Sequence, residues 1–201
     1  MKLLAGLGNP GDQYRNTRHN IGFRFLDLLA RTQGLNFTAT HRFHGETATW
    51  ESAAGKVLLL KPLNYMNNSG RAVAAAARYY RVDTNDIFII HDDLDLPSGK
   101  LRIRHGGGHA GHKGLISINH HLGQSDYVRI KIGIGRPMHG EVTPWVLGRT
   151  DSRDSALENA VFECLLPEVE TIMNGQAPTA ANHIHLCIRK KTAALESQGG
   201  T

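Results

Sequence analysis

Ile87-Phe88-Ile89-Ile90 is an unbroken apolar run. A strand apolar on both faces must be covered on both faces, as in the middle of a sheet held between helical layers. Leu3 to Leu7 reads as a second buried strand. Around these two, helical and two-residue periods alternate along the chain. Ile21, Phe25, Leu28 and Leu29 recur at i, i+4, i+7 and i+8, which predicts a helix ending near Gly34. Gly45–Glu51 and Lys56–Leu60 read as a hairpin joined near Ala54-Gly55. After Pro62 a helix carries Val73, Ala76, Ala77 and Tyr80 on one face. Leu101 to Arg104 alternates apolar with basic, Gly106–Gly108 leads into a helix near Gly111–Leu122, and Val128 to Ile134 alternates strictly. Ser155 and Glu158 form a capping-box pattern ahead of Leu157, Ala160, Val161, Cys164 and Leu165, and Pro167 ends or kinks that helix. A last helix takes Pro178 in its first turn and closes on Arg189-Lys190-Lys191. Strands alternating with helices imply an α/β fold. The expected form is a single-domain three-layer sandwich, with a central mixed, mostly parallel sheet flanked by helices. The domain is expected over 1–191, with 192–201 a flexible C-terminal tail.

The chain has 201 residues, enough for one core. No stretch approaches the ~20 apolar residues that span a bilayer, and the start lacks a secretory signal pattern. Cys164 and Cys187 fall at apolar helical positions, so both are expected as reduced core residues of a cytoplasmic protein. The net charge of +5 points to a polyanionic partner, with nucleic acid ahead of membrane.

Two glycine patterns invite a nucleotide. Gly6-x-Gly8-x-x-Gly11 follows a strand, but Pro10 sits inside the turn and a polar stretch separates it from the first helical period. A dinucleotide site needs the helix to begin within that turn. Gly106-x-Gly108-x-x-Gly111 lacks the Lys-Ser/Thr ending of a phosphate loop. Its glycines can still present backbone N–H groups to an anion or a peptide. The pairs His109/His112, His120/His121 and His183/His185 lack a carboxylate partner at metal-site spacing. No metal and no cofactor are expected.

Polar residues beside the strand ends carry a different chemistry. His19 sits where a helix begins and titrates near neutral pH, as a general base must. Such a base needs an acid on its other nitrogen. Asp92, Asp93 and Asp95 all follow the Ile87–Ile90 strand and compete for that role. Asn9 and Asn67 each offer a donor and an acceptor, suited to a peptide main chain or an ester carbonyl. Arg102, Arg104 and Lys131 alternate on strands, where cations can converge on a phosphate.

The segments KLLAGLGNPGDQYRNTRHN, PLNYMNNSG, IFIIHDDLDLP and GGGHAGHKG together resemble the bacterial-type peptidyl-tRNA hydrolase family. The resemblance covers most of the chain. It implies hydrolysis of the ester between a peptide and the 3′-terminal ribose of tRNA, which recycles tRNA during translation, by a cytoplasmic monomer with no membrane contact. It assigns His19 as the base and selects Asp92 as its orienting acid. Asn9, Tyr14, Met66, Asn67, His112 and Lys113 become substrate-binding positions, and Arg104 with Lys131 a clamp for the tRNA 5′-phosphate. That clamp would reject initiator-type tRNA. One position departs from the pattern: the family has asparagine where this chain has Lys113, and lysine donates but cannot accept.

Overall fold

A computed structural model of the chain describes residues 1–198. Seven strands form one sheet in the order β2-β3-β4-β1-β5-β7-β6. They are β1 (Lys2–Gly6), β2 (Thr38–Thr40), β3 (Gly45–Ser52), β4 (Gly55–Pro62), β5 (Ile87–Asp93), β6 (Leu101–His105) and β7 (Val128–Gly133). β1 pairs in parallel with β4 and β5, and β5 with β7. β2–β3, β3–β4 and β6–β7 are antiparallel. The sheet is therefore mixed with a parallel centre, as the apolar run of β5 demands: all of its residues are buried.

Helices cover both faces. The first layer holds α1 (Ile21–Thr32), α5 (Ser152–Leu165), α6 (Val169–Met173) and α7 (Ala177–Gln198). The second holds α2 (Ser69–Tyr80) and α3 (Lys113–Leu122). Strand parity divides the core accordingly. Leu4, Leu59, Phe88, Ile90, Ile130 and Ile132 meet the first layer, and Leu3, Ala5, Leu60, Ile87 and Ile89 meet the second. A short helix α4 (Val142–Leu147) crosses the C-terminal ends of the strands.

Close approach of α1 to β1 sets the geometry of that end. A Cβ on Gly22 would lie 2.3 Å from the Leu7 backbone nitrogen, and one on Gly6 would lie 2.3 Å from the Gly22 carbonyl oxygen. A Cβ on Gly8 would fall 2.7 Å from the Phe23 ring. Gly6 and Gly8 thus serve helix–strand packing. Only a single 3-10 turn (Asp12–Tyr14) follows Gly11 directly, and α1 begins well beyond it at Ile21, so α1 does not start within that glycine turn.

Three local expectations are corrected. Cys164 and Cys187 are not reduced: they form a disulfide between α5 and α7, with Cα atoms 5.8 Å apart. The two helices pack side by side and bring both residues within bridging range. Ser155 and Glu158 do not cap a helix. α5 starts earlier, and Asp151 is the cap, its side chain accepting from the Asp154 N–H. Glu158 lies inside the helix, buried, with Arg24 Nη1 2.7 Å from its Oε2. α7 runs past Lys191 to Gln198, where a tail was expected; the remainder of that tail, 199–201, lies outside the described residues. β2 and α4 had no sequence expectation.

Candidate active site

A cavity of about 550 Å³ opens at the carboxyl ends of β1, β5 and β7, where parallel sheets gather their ligands. Several segments of the chain line it. The turn after β1 brings Asn9 and Tyr14, and a single 3-10 turn (Arg18–Asn20) ahead of α1 brings His19. The segment after β4 brings Met66 and Asn67, and the end of β5 brings Asp92. His112 and Lys113 enter at the start of α3, and Lys131 from β7. The structure therefore gathers nine of the ten site residues expected from the sequence. Arg104 stays outside the cavity lining.

His19 and Asp92 come from opposite ends of a long chain separation and meet in the interior. Nδ1 of His19 lies 2.8 Å from Oδ1 and 3.0 Å from Oδ2 of Asp92. A carboxylate only accepts, so the Nδ1 carries the proton and Nε2 keeps its lone pair. The three competing acids separate cleanly. Asp92 points to the α1 side of the sheet. Asp93 points to the other side and holds Lys131, with Oδ2 2.6 Å from Nζ. Asp95 pairs with Arg136 at 2.7 Å.

Asp92 has a second imidazole. His112 Nε2 lies 3.0 Å from the same Oδ1. The tautomer of His112 is set from behind: its Nδ1 accepts from the backbone N–H of Gly114 at 3.1 Å and of Leu115 at 3.4 Å, which makes it the N-cap of α3. Nε2–H therefore donates to Asp92. Burial pushes the Asp92 carboxyl upward, but His19 and His112 together outweigh it and hold the group well below the carboxylate range. Asp92 is a fixed anion under any ordinary condition.

His19 Nδ1, Asp92 and His112 Nε2 lie within 4.8 Å of one another, the one group of this kind among the described residues with metal-ligand chemistry. Both nitrogens aim at one carboxylate oxygen at hydrogen-bond distance, so the doubly bonded acid already accounts for the arrangement. Of the other histidines, His183 pairs with Glu168 at 3.0 Å and His120 packs edge-on against His121.

Asn9 is less free than its chemistry suggests. Its Oδ1 accepts the Met66 N–H at 2.7 Å, which fixes the side chain and takes one of the oxygen's two acceptor positions. Asn20 fixes Asn9 in turn, accepting its N–H at 2.8 Å and donating to its C=O at 2.9 Å. Asn67 is exposed at the cavity edge, and Lys113 is exposed at the first position of α3.

Arg104 and Lys131 do not face each other across the ladder. Arg104 pairs with Arg129 in register, and Lys131 with Arg102. All four share one sheet face, on which Arg102 and Arg104 are exposed near the β6 edge. Arg129 is buried and binds the carbonyls of Gly108 and Gly107 at 2.6 and 2.7 Å, which anchors the glycine loop before α3.

Several contributors had escaped the sequence reading. The Arg18 guanidinium stacks 3.8 Å from the Trp145 ring centroid and donates to Arg149 O at 2.8 Å. It ties the His19 turn to α4, whose Val142, Val146 and Leu147 wall the cavity. His91 lies beneath the site: its Nδ1 donates to the Asp92 carbonyl at 2.7 Å, and its Nε2 is buried without a partner. Burial first, and His112 second, lower its pKa to about 3, so it is neutral. The adjacency of both residues to expected site residues was the available signal; their roles depend on elements distant in sequence.

The chain is similar over most of its length to known proteins. A family model described as peptidyl-tRNA hydrolase matches residues 3–194. A peptidyl-tRNA hydrolase of Coxiella burnetii is 43% identical over 186 residues, covering 92% of this chain and 97% of the relative. One of Geobacter sp. is 46% identical over 181 residues, covering 89% and 95%. The crystal structure of peptidyl-tRNA hydrolase from Acinetobacter baumannii superposes with a TM-score of 0.86 at 39% identity, covering 92% of this chain and 94% of that one.

Proposed function

Given that the chain belongs to the peptidyl-tRNA hydrolase family, we propose that it cleaves the ester joining a peptide to the 3′-terminal ribose of tRNA with His19 as general base. The observation that carries this reading is the Asp92 carboxylate, which accepts from both His19 Nδ1 and His112 Nε2 at the floor of the cavity. Asp92 fixes the His19 tautomer so that Nε2 faces a water as a lone pair. The base takes a proton from that water, whose oxygen attacks the ester carbonyl carbon. The resulting imidazolium lies against a carboxylate that cannot be protonated, which stabilises it. The tetrahedral intermediate then collapses. The carbon–oxygen bond to the ribose breaks, and His19 returns its proton to the departing 3′-oxygen. No metal is required by these steps.

The Asn9 NH₂ and the Asn67 amide supply donors to the carbonyl region and the peptide main chain. Recognition of main chain explains tolerance of any peptide sequence. Tyr14 and Met66 wall the esterified residue. Lys113 adds a cation beside the acceptor end, where it meets a ribose or phosphate oxygen in place of a peptide N–H. Arg104 and Lys131 hold the tRNA 5′-phosphate; an ammonium has three donors, so Lys131 can keep Asp93 and still reach a phosphate oxygen. The substrate points to the cytoplasm. No helix among the described residues is long and apolar enough to cross a membrane. The test is release of tRNA from an N-blocked peptidyl-tRNA, with an unblocked aminoacyl-tRNA as comparison. Turnover of the first, with the second much slower, is expected; no turnover of the first contradicts the reading.

A further inference from the structure

The two flanks of the cavity differ in chemistry. Toward β6 lie the exposed Arg102 and Arg104, beside the half-buried Lys131 that Asp93 holds. Toward β4 lies a row of exposed apolar side chains. β4 ends at Pro62, and the chain reaches Met66 through Leu63 and Tyr65, which are 39% and 57% exposed. At the cavity mouth Tyr65 packs edge-on against Tyr14, with centroids 6.3 Å apart. The Leu63 N–H donates to the His44 carbonyl at 2.9 Å, which lays this segment against the turn at residues 41–43. Phe43 in that turn is buried under Tyr79 and Tyr80, at 5.5 and 5.6 Å between centroids. Tyr79 is 54% and Tyr80 36% exposed at the end of α2. Two aromatic groups, Tyr14–Tyr65 at the cavity mouth and Phe43–Tyr79–Tyr80 at the end of α2, are thus joined through the Leu63–His44 backbone hydrogen bond.

Single exposed apolar residues need no explanation, but a row continuous with a cavity does. Its occupant follows from the position of the ester. The two halves of the substrate leave His19 in different directions. The cationic flank suits a phosphate. The opposite flank begins at Asn9 and Asn67, the amides suited to a peptide main chain, and continues into aromatic faces that contact many side chains without reading them. We propose that the row Tyr65, Leu63, Tyr79 and Tyr80 is a track for the part of the peptide upstream of the esterified residue. This rests on the peptidyl-tRNA reading and extends it to peptide length and charge. Arg42, Arg78 and Arg81 neighbour the row in sequence, and the nearby acids Asp27 and Glu46 are both paired with Lys61. The Arg42 guanidinium lies 4.4 Å from the Tyr79 ring centroid. Peptides with acidic or apolar residues are therefore favoured over lysine-rich ones.

The experiment uses one tRNA carrying either a single N-acetylated amino acid or an N-acetylated hexapeptide ending in that residue. For the wild type, KM is expected to be lower with the hexapeptide, and lower for an acidic than for a lysine-rich one. Leu63→Ser with Tyr79→Ser should raise KM for the hexapeptide about three- to tenfold, the scale of one or two lost aromatic contacts. KM for the single residue and kcat should stay unchanged, and Tyr79→Phe should restore the length dependence. Equal losses on both substrates would mean that RNA or the fold uses these residues and would overturn the track, as would a wild type indifferent to length. Failure of the underlying reading would look different, since the wild type would then release neither substrate.

Discussion

Nε2 of His112 stands 3.0 Å from Oδ1 of Asp92, the oxygen that also receives His19 Nδ1 at 2.8 Å. The acid is therefore held by two imidazoles, and only one of them keeps a free lone pair. His112 spends its Nδ1 on the start of α3, so it can donate to Asp92 but cannot act as a base.

His112→Ala removes one donor from a buried carboxylate. kcat is expected to fall about ten- to a hundredfold, the scale of one hydrogen bond to a charged group, with KM changed less. The loss of the α3 cap should also cost about 1 kcal/mol of stability. His112→Asn keeps a capping side chain and should restore the stability. Measuring kcat and urea unfolding on both variants separates the two effects. Unchanged kcat in a destabilised His112→Ala would remove His112 from the site.

Arg104 and Lys131 should behave unequally. Arg104→Ala loses an exposed cation, and KM for full tRNA substrates is expected to rise with a weaker salt dependence. Lys131→Ala also strips Asp93 of its partner. Burial pushes that carboxyl up and the Lys131 hydrogen bond pulls it down, so the variant leaves a partly buried anion beside the phosphate position, and the larger KM increase is expected here. A short substrate without a 5′-phosphate should be indifferent to Arg104→Ala. KM series across salt decide this; equal effects on both substrates would deny the clamp.

His91 predicts a pH dependence of stability. Its folded pKa of about 3 lies below the ordinary 6.5, so the unfolded chain binds the extra proton. Stability from this group is complete above pH 6.5 and is lost as pH falls toward 3. The slope approaches one proton, about 1.4 kcal/mol per pH unit. Replacing His91 by Gln should flatten unfolding free energy over that window, measured by urea titration. Wild-type and His91→Gln curves of the same slope would contradict the assignment.

Much of this was legible from residues alone, because burial on two faces and a 3.6-residue period leave strong patterns. β5 and α1 are of that kind. Short elements leave none: β2 has three residues, and α4 carries Pro144 in its first turn. Residue pattern alone leaves Asp92, Asp93 and Asp95 open, since the choice depends on strand parity relative to α1; only the family resemblance selects Asp92. That Met66 N–H occupies one acceptor position of Asn9 depends on a segment distant in sequence. The disulfide escaped notice because it depends on how α5 and α7 lie together, across a separation of 23 residues.

The most direct test is single-turnover hydrolysis of a saturating peptidyl-tRNA by His19→Ala, with tRNA binding measured in parallel. The rate is expected to fall by roughly 10²–10⁴-fold or more while affinity for tRNA stays close to wild type. Hydrolysis at a near-wild-type rate would show that His19 is not the base.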